Sequence, residues 1–350
     1  MKNQLLVLLL LLSGLQVIAQ IAEKKEGVLL FKAGYRSVFA IDSTRTYKPG
    51  ASVSDKFYLR PVELDIWYPA SGSNPKIPMS YGDFLKLLEQ RSNRFQNDTV
   101  YKSLTTNLVH YISLNLKVSD SAIVQLKTSS YLNAEAVQQS FPLVLYMSSY
   151  NGISYENIGL FEFLASHGYV VVCITSVGRY PGNMTTKTDD LMEQVNDGYF
   201  AIHYLKNNPL VDSEKIGIMG YSWGGLAALL LTMKTTDIKT MLSMDGSEIH
   251  YYGDSREEDS DFNDLRNSSY FKTNKINVPY AYMESGNKQI DRQVDSIFDI
   301  IPAINLNKFY IHFPKATHED FSFLSSLNAL SRGITEDSTV IYGQAKEFAL

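Results

Sequence analysis

The chain has one cysteine, Cys173, among 350 residues. A single thiol excludes any intramolecular disulfide, so packing alone must hold the fold. Its setting, Tyr169-Val170-Val171-Val172-Cys173-Ile174-Thr175, is β-branched and apolar, which marks a buried structural thiol and not a nucleophile. A basic excess is also missing. The 32 lysines and arginines stand against 37 acids, and no Lys/Arg stripe suggests a nucleic-acid partner. His, Cys and Asp residues do not cluster at ligand spacing, so neither a metal nor a cofactor is implied. Internal repeats are absent. Beyond the N-terminus no apolar stretch is long enough to cross a bilayer. The apolar run over 5–12 follows Lys2 and leads to Val17-Ile18-Ala19, with a small residue before Gln20. That pattern is a cleavable secretory signal over residues 1–19, too short and wrongly flanked for a membrane span. No cysteine near the cut could take a lipid, so the expectation is an exported chain, periplasmic or extracellular, without a stable membrane anchor. Oligomeric state is not fixed by any of this.

What is present is an alternation. Apolar runs of strand length occupy 59–68, 142–147, 169–175, 215–219, 239–244, 278–283 and 308–313, with helical patterns between them. The segment 156–166 carries Ile158, Phe161 and Leu164 on one face and stops at Gly168. The segment 189–206 starts with acids and carries Val195, Tyr199, Ile202 and Leu205 at helical spacing. Strands alternating with helices predict an α/β fold, a mostly parallel sheet covered on both faces. Between 34 and 68 no helix intervenes, which predicts an antiparallel pair at the N-terminal edge. From 79 to 139 the rhythm breaks. No sheet-like strand is evident there, and the amphipathic pieces predict a helical cap inserted into a single domain covering 20–350. The acidic run 254–264 resembles a calcium loop only loosely and reads as a solvated surface loop.

At 215–231 a short apolar strand meets an apolar helix, and Gly220-Tyr221-Ser222-Trp223-Gly224 sits at the junction. Gly-x-Ser-x-Gly alone is a weak signal. Flanked by strand and helix it describes a nucleophile elbow, in which a serine on a strained, very sharp turn needs small neighbours two residues away. Ser222 is thus the candidate nucleophile, with Gly220 and Gly224 making room.

A serine hydroxyl needs a base, and the base needs an orienting acid. In this architecture the order is Ser, acid, His. Of the histidines after Ser222, His318 lies in a polar loop just past the last strand, where it can reach the sheet's top. His312 falls inside that strand and is expected to pack, and His250 lies in a polar stretch. For the acid, Asp245 directly follows a strand, while Asp291 occupies the other position such folds use; Glu284 is a third choice. The oxyanion hole should take the backbone N–H of Trp223 and one from Ser148-Ser149-Tyr150-Asn151-Gly152, with Tyr150 the candidate.

These residues together resemble the α/β-hydrolase superfamily, and within it the dienelactone-hydrolase-like and platelet-activating-factor-acetylhydrolase-like group. Arg60-Pro61-Val62-Glu63-Leu64-Asp65-Ile66-Trp67-Tyr68-Pro69 is similar to that group's edge strand, and Asp42-Ser43-Thr44-Arg45 to the preceding turn. Ala165-Ser166-His167-Gly168-Tyr169 resembles its helix-to-strand junction, and Thr317-His318 its histidine loop. The resemblance favours Asp245 as the acid. Two departures stand out: the group has His-Gly where this chain has Ser148-Ser149, and dienelactone hydrolases proper use cysteine at the elbow. The resemblance implies an exported serine hydrolase of carboxylic esters, acting on a small-molecule or lipid ester with short acyl or acetyl groups. A peptidase of prolyl-oligopeptidase type, or a catalytically silent hydrolase fold used for binding, are the alternatives.

Overall fold

The computed structural model describes residues 31–72, 77–95, 103–175, 177–179, 184–249, 256–286 and 300–323, with Leu327, Gly343 and Ala349. The signal segment 1–19, His250 and Asp291 lie outside the described residues.

Among the described residues nine strands form one sheet: β1 (Lys32–Thr46), β2 (Leu59–Ala70), β3 (Ser130–Leu132), β4 (Phe141–Met147), β5 (Val170–Ile174), β6 (Val211–Tyr221), β7 (Ile238–Met244), β8 (Tyr280–Ser285) and β9 (Lys308–Phe313). Their order across the sheet is β3-β1-β2-β5-β4-β6-β7-β8-β9. β2 runs antiparallel to both β1 and β5, and from β5 to β9 every pairing is parallel. The helices are α1 (Tyr81–Phe95), α2 (Leu104–Leu116), α3 (Asp120–Val124), α4 (Ile158–Ser166), α5 (Thr188–Leu205), α6 (Trp223–Lys234), α7 (Arg256–Asn267) and α8 (Ile300–Ala303).

The central strands read as continuous apolar runs because both faces are buried, and the period of two deals their side chains to two cores. Leu143, Leu145 and Met147 of β4, with Val170, Val172 and Ile174 of β5, face the side covered by α5 and α6. Val144, Tyr146, Val171 and Cys173 face the side covered by α4 and the 79–139 insertion. The insertion is anchored by its own side chains. Phe84 of α1 sits between Tyr35 and Tyr155 with centroid distances of 4.9 and 5.0 Å. Arg91 pairs with buried Asp65 at 2.5 Å.

Three expectations are corrected here. The insertion contributes a strand after all: β3 pairs in parallel with β1 and takes the outermost place. Three residues are too few for a period of two to register. Its Ser130 is held by the Trp67 indole N–H at 2.9 Å, which fixes the strand from outside the backbone ladder. The acidic run is no loop either, since 256–267 is helical: acids fill its first turn and Phe262 and Leu265 bury one face. Finally, β9 is an edge strand with a largely exposed face, so His312 does not pack. Its side chain is 48% exposed and bonds Glu284 at 2.9 Å.

Candidate active site

The registers of the parallel strands bring several strand ends to one level. Met147 is paired with Gly220, Tyr221 with Met244, and Met244 with Met283. The residues that follow, 148–150, Ser222, Asp245 and Ser285, therefore emerge together at the C-terminal edge of the sheet, where open α/β sheets place their ligand crevice.

Ser222 links β6 to α6 with φ 55° and ψ −125°, a conformation that side-chain-bearing residues rarely adopt. Neighbouring strands and turns hold it there. Its N–H donates to the Met244 carbonyl (3.1 Å), and its carbonyl accepts from Gly225 (2.9 Å) and Ser247 (3.0 Å). A Cβ on Gly220 would drive into the Gly224 carbonyl, and one on Gly224 into those of Met147 and Ser148. Glycine at both positions lets the bend close and lets the start of α6 lie directly on the end of β4.

That contact also brings the start of α6 beside the 148–150 stretch. Trp223 is the first residue of α6, where backbone N–H groups have no intrahelical acceptor and the helix dipole is positive. Tyr150 lies in a turn closed by Gly152 N–H to Ser149 carbonyl (2.8 Å). The two rings meet edge to face, centroids 5.6 Å apart. The Tyr150 hydroxyl donates to the Met184 carbonyl at 2.8 Å. Where the resembled group has His-Gly, Ser148 and Ser149 turn their hydroxyls inward. Ser148 is fully buried and donates to the Ile174 carbonyl (2.7 Å), while its own carbonyl accepts from Gln194 (2.7 Å). Ser149 donates to Glu156.

Asp245 follows β7 with φ 49° and is 1% exposed. Its Oδ1 accepts the Ser285 N–H (2.9 Å), and Oδ2 accepts the Ser285 hydroxyl (2.8 Å) and His318 Nδ1 (2.7 Å). Three donors converge on this buried carboxylate. A proton on Nδ1 leaves the lone pair of Nε2 available as a base. His318 opens the 3₁₀ turn His318–Phe321, and its side chain is 42% exposed, so solvent and small molecules reach it. Tyr221, the residue before Ser222, stacks on the imidazole (4.8 Å, 28°) and donates to the His318 carbonyl at 3.0 Å.

Of the residues singled out from sequence, Ser222, Trp223, Tyr150, Asp245 and His318 stand at one end of the sheet. Glu284 is occupied by His312. Four others went unnoticed: Ser285, Tyr221, Gln194 and Glu156. Tyr221 occupies a free position of the Gly-x-Ser-x-Gly pattern, and the others act through tertiary hydrogen bonds that leave no local pattern. Cys173 is a free, fully buried thiol beside Ser148, and burial pushes its pKa well up.

Residues 120–260, less than half of the chain, match the family model described as X-Pro dipeptidyl-peptidase (S15 family). No curated protein matches the sequence. A ferulic acid esterase from Streptomyces cinnamoneus superposes with a TM-score of 0.61 at 14% identity, covering 91% of this chain and 88% of that one. An acylaminoacyl peptidase from Pyrococcus horikoshii gives 0.47 at 12% identity, covering 91% of this chain but only 42% of its own. Est1E from Butyrivibrio proteoclasticus gives 0.43 at 14% identity, over 61% and 88%. The first likeness, with the sheet order and the bend at Ser222, defines the class: this chain has the α/β-hydrolase fold.

Proposed function

We propose that this protein is an exported serine ester hydrolase of the acetylhydrolase-like kind, with Ser222, His318 and Asp245 as its triad. The observation that carries the reading is the 2.7 Å bond from His318 to a buried carboxylate beside the serine bend. Ser222 Oγ attacks the ester carbonyl and passes its proton to His318 Nε2. Asp245 stabilises the resulting imidazolium, and the Trp223 and Tyr150 amides take the charge on the carbonyl oxygen. Collapse expels the alcohol, which receives the proton from His318. Water, deprotonated by the same imidazole, then releases the acid and restores Ser222.

Short acyl and acetyl esters, phospholipid acetyl esters among them, are the substrates this reading favours. A ferulic acid esterase of the same fold makes esters of ferulic acid natural probes. The insertion 79–139 would cap the crevice. Its Tyr81 ring meets Phe323, just past the histidine turn, at 5.4 Å. Chromogenic esters of graded acyl length, turned over by the wild type and Ser222→Ala, test the proposal. Equal rates for the two remove Ser222 from the reaction.

The family match over 120–260 favours a second reading, a serine peptidase. It predicts faster turnover of X-Pro anilides than of the corresponding esters. A fluorophosphonate probe that leaves Ser222 unlabelled in folded protein would point instead to a silent binding module.

A further inference from the structure

Beside the triad lies a second acid, Glu156, in the turn leading into α4. Its Oε1 accepts the Ser149 N–H (2.8 Å) and the Tyr146 hydroxyl (3.0 Å), and Oε2 accepts the Ser149 hydroxyl (2.5 Å). Any Cβ on Gly152 would press against Oε2, so the glycine opens the space that the carboxylate fills. The side chain thus pins the start of the turn that carries Tyr150 to the end of β4, and fills the space beside Gly152. The same stretch reaches the other way. The Glu156 carbonyl accepts the Phe323 N–H (2.8 Å), and Asn157 Nδ2 donates to the Phe321 carbonyl (2.9 Å) and to the Tyr146 hydroxyl (3.2 Å). Phe321 and Phe323 flank the end of the turn that begins with His318.

We propose that Glu156, with Asn157, is a positioning residue that holds the oxyanion turn 149–152 and the histidine turn 318–321 in mutual register. The proposal deepens the hydrolase reading and rests on it for its catalytic consequence. A tetrahedral intermediate needs the amide donors and the imidazole placed at once on opposite sides of one carbon, and errors of an ångström are costly. Two loops from distant parts of the sequence have no local reason to agree. Residues 156 and 157 tie both to the start of one buried helix.

The clamp also carries a titratable group. Burial raises the Glu156 carboxyl to about 7, against the opposing pull of its bonds to Ser149 and Tyr146 and the charge of His318. The groups that face it are Tyr146 from β4, Cys173 from β5, Tyr221 from β6 and His318. Both protonation states keep the clamp. Ionised, the carboxylate accepts throughout; protonated on Oε2, it donates to the Ser149 hydroxyl, which can turn to accept.

The test compares the full chain with Glu156→Leu and Glu156→Gln. It reads kcat and KM for an aryl acetate between pH 5 and 9, and amide exchange at 149–152 and 318–323. Glu156→Leu should lower kcat about 10- to 100-fold with KM changed less than about 3-fold, and exchange should quicken in both segments together. Gln can accept from Ser149 N–H and Tyr146 while donating to the Ser149 hydroxyl, so it should restore most of kcat across the whole pH range. Wild-type kcat in Glu156→Leu, or faster exchange in one segment alone, overturns the proposal. If wild type and variants alike fail to turn over esters while both segments loosen together in Glu156→Leu, the ester-hydrolase reading falls and the register role stands.

Discussion

The Asp245 carboxylate accepts the Nδ1–H of His318 at 2.7 Å across a sequence separation of 73 residues. Ser285, from the neighbouring strand end, supplies two further donors. The carboxylate is therefore held by contacts that do not involve the histidine. Asp245→Asn keeps the shape but presents an amide, which favours the wrong imidazole tautomer. Ester turnover should fall about 10³- to 10⁴-fold with the fold intact by circular dichroism. Asp291→Asn should stay near wild type. The reverse pattern in a paired kinetic assay would transfer the acid's role to Asp291.

The elbow and the strand alternation were legible because each depends on local chemistry or on chain order, whereas chain order alone left the acid open among Asp245, Asp291 and Glu284. Gly220 and Gly224 announce a backbone that admits no side chain, and Asp245 and His318 directly follow apolar strands. What was not legible depends on tertiary partners. β3 is too short to show a period, and Ser130 needs the Trp67 indole to hold it. His312 looked like a strand-interior residue, but whether a strand lies at the centre or the edge is settled by its neighbours, and among the described residues β9 has only one. Glu156 gives no local signal, because its partners Ser149 and Tyr146 come from the preceding strand and turn.

The bend at Ser222 stores strain. With φ 55° and ψ −125° the serine lies where glycine is at ease, and such residues cost of order 1–3 kcal/mol. Ser222→Gly should remove the hydroxyl and the strain together. Offset by the freedom glycine adds to the unfolded chain, the net gain should be about 1 kcal/mol. Ser222→Ala, which keeps the Cβ, should gain less. Urea unfolding reads the difference as a higher midpoint for the glycine variant at unchanged m-value. A glycine variant less stable than wild type would mean that the hydroxyl makes a stabilising contact that outweighs the strain.

Glu156 should leave a mark on stability as well. Its carboxyl is raised to about 7 from the usual 4.5, with burial the main cause. Between those values the unfolded chain releases a proton that the native state keeps, so the native state binds more protons and stability falls as pH rises. Below about 4.5 this contribution is present in full, and above about 7 it is gone. The total is up to a few kcal/mol, trimmed by the partial solvent access of the side chain. Glu156→Gln should flatten this window and be more stable than wild type at pH 8. Urea midpoints at pH 5 and 8 for both proteins measure it, and parallel pH dependences would show that Glu156 ionises freely in the native state.

Cys173 lies on the buried face of β5, 0% exposed, with the Ser148 hydroxyl 3.4 Å from its sulfur. Burial pushes its thiol pKa well up, so little thiolate exists at neutral pH, and no solvent path reaches the sulfur. Ellman's reagent should therefore find no thiol in the native protein and one per chain in guanidinium. Ester hydrolysis should survive prolonged alkylation at pH 8. Cys173→Ser would place a hydroxyl in an apolar strand, where it could donate to the Ile174 carbonyl that Ser148 already occupies, and should cost about 1–3 kcal/mol. Cys173→Ala keeps the site apolar and should cost less, with activity unchanged. Rapid labelling of the native thiol would mean that β5 opens locally, and with it the strand on which the Ser148 turn rests.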